Sequence, residues 1–547
     1  MSVIYGIDLG TTYTKCAAVI DGRVHVVDLV GQEDEYASHS ASRWPGSSLR
    51  SSVVLETEGG DRKIARVGYV RPEAFDPSRT CRVFEETKAA IGKQQDRVAR
   101  IDDPPPWHWT PHGFSYRPED VASFVLRKVA QRAREMGLPV LERIVLTHPH
   151  GFGEAQRLAT CNAAKLAGLE VVETMREPDA AARAYGKSDS GLHLVFDLGG
   201  GTLDINVSEM GGEGHFQTRA TQGVLVGGRD FDRELLDEVV REFASKTGLS
   251  VDQIRDYLTA RRDLKLSWLR RVERMKWRLS SGSSDVVGER FELLREGKPP
   301  LEARVQLALG RVKDLTAGLV ARCANGVRQA LAKANISRDR LSGVLAVGGA
   351  SAFPPIREML RQETGGARLF ENIDSTVAVA LGAAYRGNDL LGGAVPASGG
   401  ATPSAYSSVL GQSLGILIGT EGSDKVFTLI PTNARCPVEV TEVFPLETSE
   451  QPETRLQLYE GQGAEYGALE SPKACIEAGD FRLKHLPGAS GDEVSVRISV
   501  AANGARTLWA QTRGRTIEHA FEYSKETVLP EAEITERRRF LMQVSVV

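Results

Sequence analysis

The feature that most constrains this fold is a glycine-rich stretch at residues 195–204, Val-Phe-Asp-Leu-Gly-Gly-Gly-Thr-Leu-Asp. Its flanking apolar residues predict a buried strand that ends at Phe196 and a second strand that begins at Leu203. The glycines carry no Cβ atoms, so a phosphate group could approach their backbone N–H groups closely. The stretch does not match the Walker loop, whose G-x-x-x-x-G-K-[ST] pattern precedes a helix. It predicts a strand–turn–strand unit that can hold a phosphorylated ligand and its hydrated metal.

A second stretch repeats this plan near the N-terminus. Residues 4–15 combine an apolar strand, the string Asp8-Leu9-Gly10 and three threonines, and another apolar run follows from Cys16 to Ile20. The string Asp-Leu-Gly recurs at residues 197–199. One such hairpin could be a simple turn without a ligand. Two copies, each opening one half of a domain, predict two lobes that close on a nucleotide.

Length and composition narrow the class of protein. A chain of 547 residues predicts two to four domains with ample core. The net charge of −4, with both signs well mixed, favours neither nucleic acid nor an acidic membrane as a partner. No apolar run approaches the length of a membrane helix and no cleavable leader is evident, so we expect a cytoplasmic protein. The six scattered cysteines form no C-x-x-C pair, which predicts free thiols.

The pattern alternates between strands and helices up to about residue 387 and then changes. Residues 83–92 predict a short helix, and residues 252–280 predict a long helix whose interleaved acids and bases favour a solvated face over nucleic-acid binding. Residues 392–408 are rich in Gly, Ala, Ser and Pro, as flexible linkers are. Beyond them the apolar residues alternate with period two. This pattern predicts a β-sandwich that runs to the end of the chain with no helix after it.

Five motifs recur along the chain, at residues 7–12, 177–182, 197–202, 227–232 and 347–349. They occur in the order and spacing of the Hsp70 (DnaK-type) chaperones, and the chain resembles that family over essentially its whole length. The resemblance implies an α/β fold, with an actin/Hsp70-like two-lobed ATPase domain followed by a β-sandwich substrate-binding-like domain. The implied boundaries are 1–387 for the nucleotide-binding domain, 388–408 for the linker and 409–547 for a sandwich without a helical lid.

The resemblance also implies the roles of individual residues toward ATP, Mg²⁺ and, as a further ion, K⁺. Asp8, Glu177 and Asp197 would hold the hydrated magnesium. Lys88 would orient the attacking water and offset charge on the γ-phosphate, as a preorganised cation does in phosphoryl transfer. The implied catalytic set is Lys88, Glu177, Asp197, Thr202 and Asp204. The implied nucleotide contacts are Gly10, Thr11, Thr12, Tyr13, Gly199, Gly200, Gly201, Gly227, Gly228, Glu273, Lys276, Ser280, Gly348, Gly349 and Ser351.

Several positions depart from the family pattern. Ala352 replaces an arginine that stacks on adenine in the family, a loss of about 1 kcal/mol of affinity. Stacking by Phe353 in its place is an alternative that we do not favour. Glu173 stands where the family has an arginine used by the linker and by J-domain proteins. Only Leu390-Leu391 remains of the family's apolar linker.

These observations leave three functional hypotheses. The first is an Hsp70-like chaperone that binds and slowly hydrolyses ATP and binds unfolded or extended polypeptides, with a J-domain co-chaperone and a nucleotide exchange factor as further partners. The second is an ATP-gated scaffold or regulator whose β domain holds one dedicated protein partner. The third, a small-molecule kinase on the same fold, gives the β domain no role. All three exclude nucleic acid and membrane partners.

Overall fold

The structure, a computed structural model, covers most of the chain. The ranges it describes are 2–30, 44, 46–58, 62–68, 81–92, 114–185, 190–211, 216–282, 284–295, 298–370, 373–392, 406–407, 409–419, 424–445, 453–484, 493–500, 506–512, 515–520 and 528–547. The predicted linker falls mostly outside these ranges.

Two sheets of similar plan form the centres of lobe I and lobe II. In each, an antiparallel hairpin pairs through its first strand with a parallel third strand. Lobe I has the order β3-β2-β1-β8-β9, and lobe II has the order β15-β10-β11-β12-β16. The strands of lobe I are β1 (Ile4–Asp8), β2 (Tyr13–Ile20), β3 (Arg23–Val26), β4 (Leu49–Arg50, paired with β2), β8 (Arg143–His148) and β9 (Glu170–Arg176). Those of lobe II are β10 (Gly191–Leu198), β11 (Leu203–Met210), β12 (Phe216–Val224), β15 (Leu341–Val347) and β16 (Tyr406–Ser407).

Helices cover both sheets and pack between them. The helices are α1 (Thr87–Ala90), α2 (Pro118–Glu135), α3 (Glu154–Ala167), α4 (Glu177–Tyr185), α5 (Gly228–Thr247), α6 (Val251–Ala260), α7 (Arg262–Ser280), α8 (Leu309–Lys333), α9 (Pro354–Glu363), α10 (Ala378–Leu390) and α11 (Glu531–Leu541). Alanine-rich α4 and α10 share one buried core with Ile4 of lobe I and Val195 of lobe II. A Cβ at Gly382 would collide with the Ala180 carbonyl, so the small residues allow these helices to approach each other closely.

Each lobe carries a smaller β unit. On lobe I it is a four-stranded sheet with the order β26-β6-β5-β7, and on lobe II it is the hairpin β13–β14. The bounds are β5 (Val53–Glu58), β6 (Arg62–Val67), β7 (Cys81–Phe84), β13 (Val286–Arg295), β14 (Lys298–Ala308) and β26 (Ser545–Val546).

The second domain packs two antiparallel sheets face to face. The sheet orders are β21-β18-β17-β20-β22 and β19-β23-β24-β25. Alternate residues point inward, as Val494, Val496 and Ile498 do on β23, and they form a separate core. The strands are β17 (Ser413–Ile418), β18 (Lys425–Ile430), β19 (Val438–Pro445), β20 (Glu453–Gly461), β21 (Leu469–Glu470), β22 (Ile476–Lys484), β23 (Glu493–Val500), β24 (Arg506–Thr512) and β25 (Arg515–Ala520).

The prediction that the sandwich runs from 409 to 547 with no helix after it is wrong at its end. Residues 529–547, the C-terminal segment, form α11 and β26 and pack on lobe I, where β26 pairs in parallel with β6. The reason is that the period-two pattern stops at β25. The apolar residues after it complete the core of lobe I and not that of the sandwich: Leu529, Ile534, Leu541 and Val544.

Polar contacts hold the C-terminal segment as well. Arg537 forms an ion pair with the fully buried Asp120 at the start of α2, with its Nε 3.0 Å from Oδ1. The ring of Phe540 stacks on that of Phe114 with centroids 3.9 Å apart. Arg127 donates to the carbonyl oxygens of Leu541 at 2.7 Å and Val544 at 2.9 Å. The segment is therefore part of lobe I in three dimensions.

Two predicted helices differ in extent. The prediction for 83–92 is wrong in its first residues, because Cys81–Phe84 is a strand that pairs with β5 and only Thr87–Ala90 is helical. The stretch 252–280 is two helices, α6 and α7, separated at Arg261.

Within the described ranges, no helix is long and apolar enough to cross a membrane. The five cysteines whose side chains are described carry free thiols: Cys16, Cys161, Cys323, Cys436 and Cys475.

The packing of the C-terminal segment predicts that alanine substitutions at two neighbouring residues change the free energy of unfolding by very different amounts. Leu541 is fully buried and Met542 is 55% exposed. We expect Leu541→Ala to lower the free energy of unfolding of the ATPase domain by about 2–5 kcal/mol, because it leaves a cavity. Met542→Ala should change it by less than about 0.5 kcal/mol. Urea unfolding followed by circular dichroism measures both, and equal effects would contradict the assignment of the segment to lobe I.

Candidate nucleotide-binding site

Three glycine turns meet between the lobes. The Gly228 N–H donates to the Gly199 carbonyl at 2.8 Å, and the Arg229 N–H donates to the Gly200 carbonyl at 3.1 Å. A Cβ at Gly200 would collide with Thr12 Oγ1 of lobe I, and a Cβ at Gly227 would collide with the Gly200 carbonyl. The structure thus brings together the predicted residues 10–13, 199–202 and 227–228. Only glycine allows the turns to lie this close.

These turns offer donors to an anion. Helix α5 begins at Gly228, so the positive end of its dipole points toward the turns. Gly199 and Gly201 have no atom closer than 3.4 Å to the place of a Cβ, which leaves one side of their backbone open. The buried Thr12 Oγ1 has no hydrogen-bond partner among the described residues. A bound phosphate would satisfy such a group.

Four carboxylates surround this cradle. Asp8 ends β1, Asp197 faces Asp204 across the β10–β11 pair, and Glu177 begins α4. Burial raises the pKa of Glu177 to about 7 and that of Asp204 to about 6. Burial, with the charges of Glu177 and Asp204, raises the pKa of Asp197 well above its ordinary value. Negative charge is therefore more concentrated here than the protein alone can neutralise.

Two lysines partly offset that charge. Lys88, on α1, is 4% exposed and donates to Glu177 Oε1. Lys15 Nζ lies 3.2 Å from Asp8 Oδ2. Sequence reasoning assigned no role to Lys15. In the β1–β2 hairpin Lys15 lies directly opposite Asp8, so the pairing of the two predicted strands could have indicated this contact.

The donor set fits a hydrated magnesium ion. Mg²⁺ prefers oxygen ligands and keeps several of its waters. No three His, Cys, Asp or Glu side chains within the described ranges converge on a single point, so they do not form a closed metal cage. The predicted ligands Asp8, Glu177 and Asp197 could hold the ion through water. Excess negative charge and an open arrangement suit that ion better than zinc.

Thr202 and Asp204 adjoin this cluster. Thr202 Oγ1 lies 3.4 Å from Asp204 Oδ2. The Gly151 N–H also donates to the Asp204 carboxylate, which partly counters the effect of burial on its pKa. Asp204 is thus connected to the loop that joins β8 to α3.

The predicted nucleoside contacts lie on α7, whose side chains reach the glycine turns. Lys276 Nζ contacts Asp232 Oδ1 at 2.6 Å and donates to the Gly228 carbonyl at 2.8 Å, so it is close to the phosphate turns. Glu273 accepts from Tyr13 Oη at 3.2 Å. Ser280 Oγ donates to the Lys276 carbonyl within its own helix. The structure brings Glu273 and Lys276 to the turns, while Ser280 lies one turn further along α7.

The loop that follows β15 packs against the turn at residues 197–199. Gly348 has φ +80° and a Cβ there would collide with the Leu198 carbonyl, so β15 ends directly against the Asp-Leu-Gly turn. Ser351 Oγ donates to the Gly348 carbonyl at 2.7 Å. The structure does not support the alternative in which Phe353 stacks on the base in place of the missing arginine. Its ring is 1% exposed and packs edge-on against Phe231, so it belongs to the core.

A buried ion-pair network joins the two lobes. Arg50 Nη1 of lobe I lies 2.7 Å from Glu273 Oε2 of lobe II, and Arg270 Nη2 lies 3.2 Å from Glu85 Oε1. Arg229 contacts both Glu85 and Glu86. Burial would raise the pKa of Glu85, but Arg229, Arg50 and Arg270 outweigh it and hold that pKa at about 2. Sequence reasoning missed this network because its members are far apart in the chain.

Comparison of the sequence with known proteins identifies the family to which this chain belongs. The family model described as Hsp70 protein matches residues 83–544. The chain belongs to the Hsp70 family. It is 30% identical over 551 aligned positions to a chaperone protein DnaK of Thermus thermophilus, covering 98% of this chain and 82% of that one. The chaperone protein DnaK of Elusimicrobium minutum is 28% identical, with 98% and 79% covered. The predicted fold class, an actin-like ATPase domain followed by a β-sandwich, is thereby confirmed.

Within this Hsp70 family fold, the reversed charge of Glu173 is neutralised internally. Arg386 of α10 donates to both carboxylate oxygens of Glu173, each at 2.9 Å. The side chains are 30% and 25% exposed, so the pair lies at the surface. A partner that approached here would meet a planar, already paired carboxylate.

The close approach of the turns predicts that an added methyl group at Gly227 impairs nucleotide binding. We expect Gly227→Ala to weaken ATP binding by at least about tenfold, since the turn must move away from Gly200. Gly223→Ala is the matched control because a Cβ there meets no atom within 4 Å. Isothermal titration calorimetry compares the two variants. Equal affinities would show that the contact between the turns does not shape the site.

The ion-pair network predicts a defined dependence on pH. The pKa of Glu85 is below its ordinary value of 4.5 in the folded protein. Its stabilising contribution is therefore present above about pH 4.5 and lost as the pH falls toward about 2. We expect Glu85→Gln to cost at most about 3 kcal/mol at pH 7, with the difference from wild type shrinking below pH 4.5.

Unfolding in urea across this range measures the effect of Glu85→Gln. The exposed Glu234→Gln is the control, because water screens a surface charge. A cost of Glu85→Gln that stays constant down to about pH 2.5 would contradict the charge-based explanation.

Proposed function

We propose that this Hsp70 family member binds and slowly hydrolyses ATP with Mg²⁺, and with K⁺ as a further ion, and uses its β-sandwich to bind extended polypeptides. The observation that carries the proposal is the convergence of three glycine turns, four carboxylates and Lys88 in one cleft. The relatives named above are chaperones by name, which supports the same activity.

The chain's own residues suit phosphoryl transfer to water. Magnesium, when bound, would neutralise phosphate charge and orient the γ-phosphate. The turn N–H groups and the N-terminus of α5 would bind the phosphate oxygens. Lys88 would supply a fixed positive charge beside the transferred group. Glu177, whose carboxylate accepts from Lys88, would help to hold and orient the attacking water.

The sandwich presents an apolar surface suited to a polypeptide. Phe427 contacts the rings of Phe444 and Tyr466 with centroids 6.1 and 5.6 Å apart. Tyr466 is 53% exposed, and Leu469, on the adjoining edge strand, is 58% exposed. Tyr466 also donates to Glu442 of β19. Aromatic side chains beside an acidic group favour a peptide that combines apolar and basic residues.

A second candidate is an ATP-gated scaffold that holds one dedicated partner. The Glu173–Arg386 pair favours it, because this surface differs in charge from the one that J-domain proteins contact in the family. A nucleotide exchange factor and a J-domain co-chaperone remain part of the first candidate. Binding of unrelated unfolded peptides distinguishes the two.

The proposal predicts that turnover depends on Lys88. We expect Lys88→Ala to lower the rate of ATP hydrolysis by about 10²–10³, the usual cost of removing one preorganised charge from such a site. Lys313→Ala, on the surface of α8, is the matched control. Phosphate release in single-turnover assays measures the rate. Hydrolysis unchanged by Lys88→Ala would contradict the catalytic assignment.

Addition of an unfolded peptide to the same assay separates the candidates. Faster turnover with several unrelated peptides supports the chaperone, whereas indifference to all of them supports the scaffold.

A further inference from the structure

Helix α7 carries an aromatic side chain beside the glycine turns. Trp277 follows Lys276 directly in the sequence. It shares one face of α7 with Glu273, one turn before it, and with Ser280, one turn after it. Its ring centroid lies 5.7 Å from that of Tyr13, in the turn at residues 10–13. The sequence motifs give Trp277 no role.

Two tryptophans of α7 have different surroundings. Trp268 is fully buried, and its ring packs edge-on against Phe243 and Phe291 in the core of lobe II. Trp277 is only half-buried, and its ring neighbour Tyr13 belongs to lobe I. Trp277 therefore borders the cleft between the lobes. Such a ring offers a ligand a flat apolar surface.

The loop that follows β15 lies beside the same turns and carries small side chains. A Cβ at Gly228 would lie 3.2 Å from Ala350 Cβ and 3.4 Å from Lys276 Nζ, so this loop and α7 both adjoin the start of α5. A Cβ at Gly349 meets no atom within 4 Å. Ala352 stands where the family has an arginine. The loop thus offers space beside the turns and no bulky side chain at these positions.

The polar side chains on this face of α7 already have partners within the protein. Glu273 Oε2 pairs with Arg50 at 2.7 Å, and Glu273 Oε1 accepts from Tyr13 at 3.2 Å. The Ser280 hydroxyl donates to the Lys276 carbonyl at 2.9 Å. Hydrogen bonds to a substrate discriminate between analogues far more strongly than apolar contacts do. With these groups engaged, this face of α7 does little to distinguish the edge of one base from that of another.

We propose that Trp277 stacks on the base of the bound nucleotide, so that the cleft accepts nucleoside triphosphates with little discrimination among the bases. This inference rests on the proposed function, because it concerns the ligand of the same cleft. Every base has a π face, so stacking on an aromatic side chain tolerates any of them. The glycine turns and α5 bind the triphosphate, which all these nucleotides share.

Isothermal titration calorimetry of the full chain with Mg²⁺ and ATP, GTP, UTP or tripolyphosphate tests the proposal. We expect dissociation constants for the three nucleotides within about tenfold of one another, and weaker binding of tripolyphosphate, which has no base. Trp277→Ala should weaken binding of each nucleotide by about tenfold and leave that of tripolyphosphate unchanged. Trp277→Phe keeps an aromatic face and should retain most of the wild-type affinity.

The matched control is Trp509→Ala, because Trp509 lies on β24 of the sandwich, where Arg497 covers its ring at 4.8 Å. It should change none of the four dissociation constants. Binding of ATP at least about a hundredfold tighter than that of GTP and UTP would overturn the proposal. An unchanged affinity of Trp277→Ala for the nucleotides would do the same.

Tripolyphosphate separates this inference from the proposed function. If Trp277→Ala weakens tripolyphosphate as much as the nucleotides, the substitution has distorted the cleft and stacking is refuted as the cause. If the wild-type protein binds none of the four ligands, the proposed function of the cleft is wrong and this inference falls with it. Binding of tripolyphosphate and ATP with equal affinity would keep the phosphate site and refute the stack alone.

Discussion

The structure depends on how closely three backbone turns approach each other between the lobes. Gly200 lies against Thr12 and Gly227 lies against Gly200, at distances that no side chain allows. This contact fixes the spacing of the two sheets, because the turns at 10–13 and 199–202 are the tips of hairpins whose strands extend into buried cores. It also sets the position of α5, whose first N–H groups form the wall of the cradle. The glycines thus determine at once the fold of the domain and its capacity to hold an anion.

The close approach of the turns also brings several buried carboxylates near one another. Bringing Asp8, Glu177, Asp197 and Asp204 into one buried cleft raises the pKa values of the last three, and two lysines compensate only part of the negative charge. In the network around Glu85, by contrast, arginines from both lobes keep the pKa of Glu85 low. The carboxylate cluster is therefore only partly compensated, while the ion pairs of the network are matched. This difference favours a ligand that brings its own cation to the carboxylate cluster.

Much of the fold follows from local patterns, and the failures of prediction have a common cause. The turns at 10–13 and 199–202 follow from apolar strands around glycines, and the sandwich follows from strict alternation. Phe353, in contrast, follows the position of the missing arginine, and its burial against Phe231 has no local signal. Arg50 and Glu273 are 223 residues apart, so no local pattern reveals their contact. Long-range complementarity of charge and shape is what sequence reasoning could not supply.

The C-terminal segment is the clearest case of a long-range contact that local sequence patterns do not predict. Its helix α11 has an ordinary charged sequence, and only the spacing of the apolar residues Ile534 and Leu541 indicates that one face is buried. Which core accepts that face is decided by lobe I, where β6 offers an open edge and Asp120 a buried charge. The sandwich is therefore joined to lobe II where it begins and to lobe I where it ends, an arrangement that the period-two pattern of its strands does not reveal.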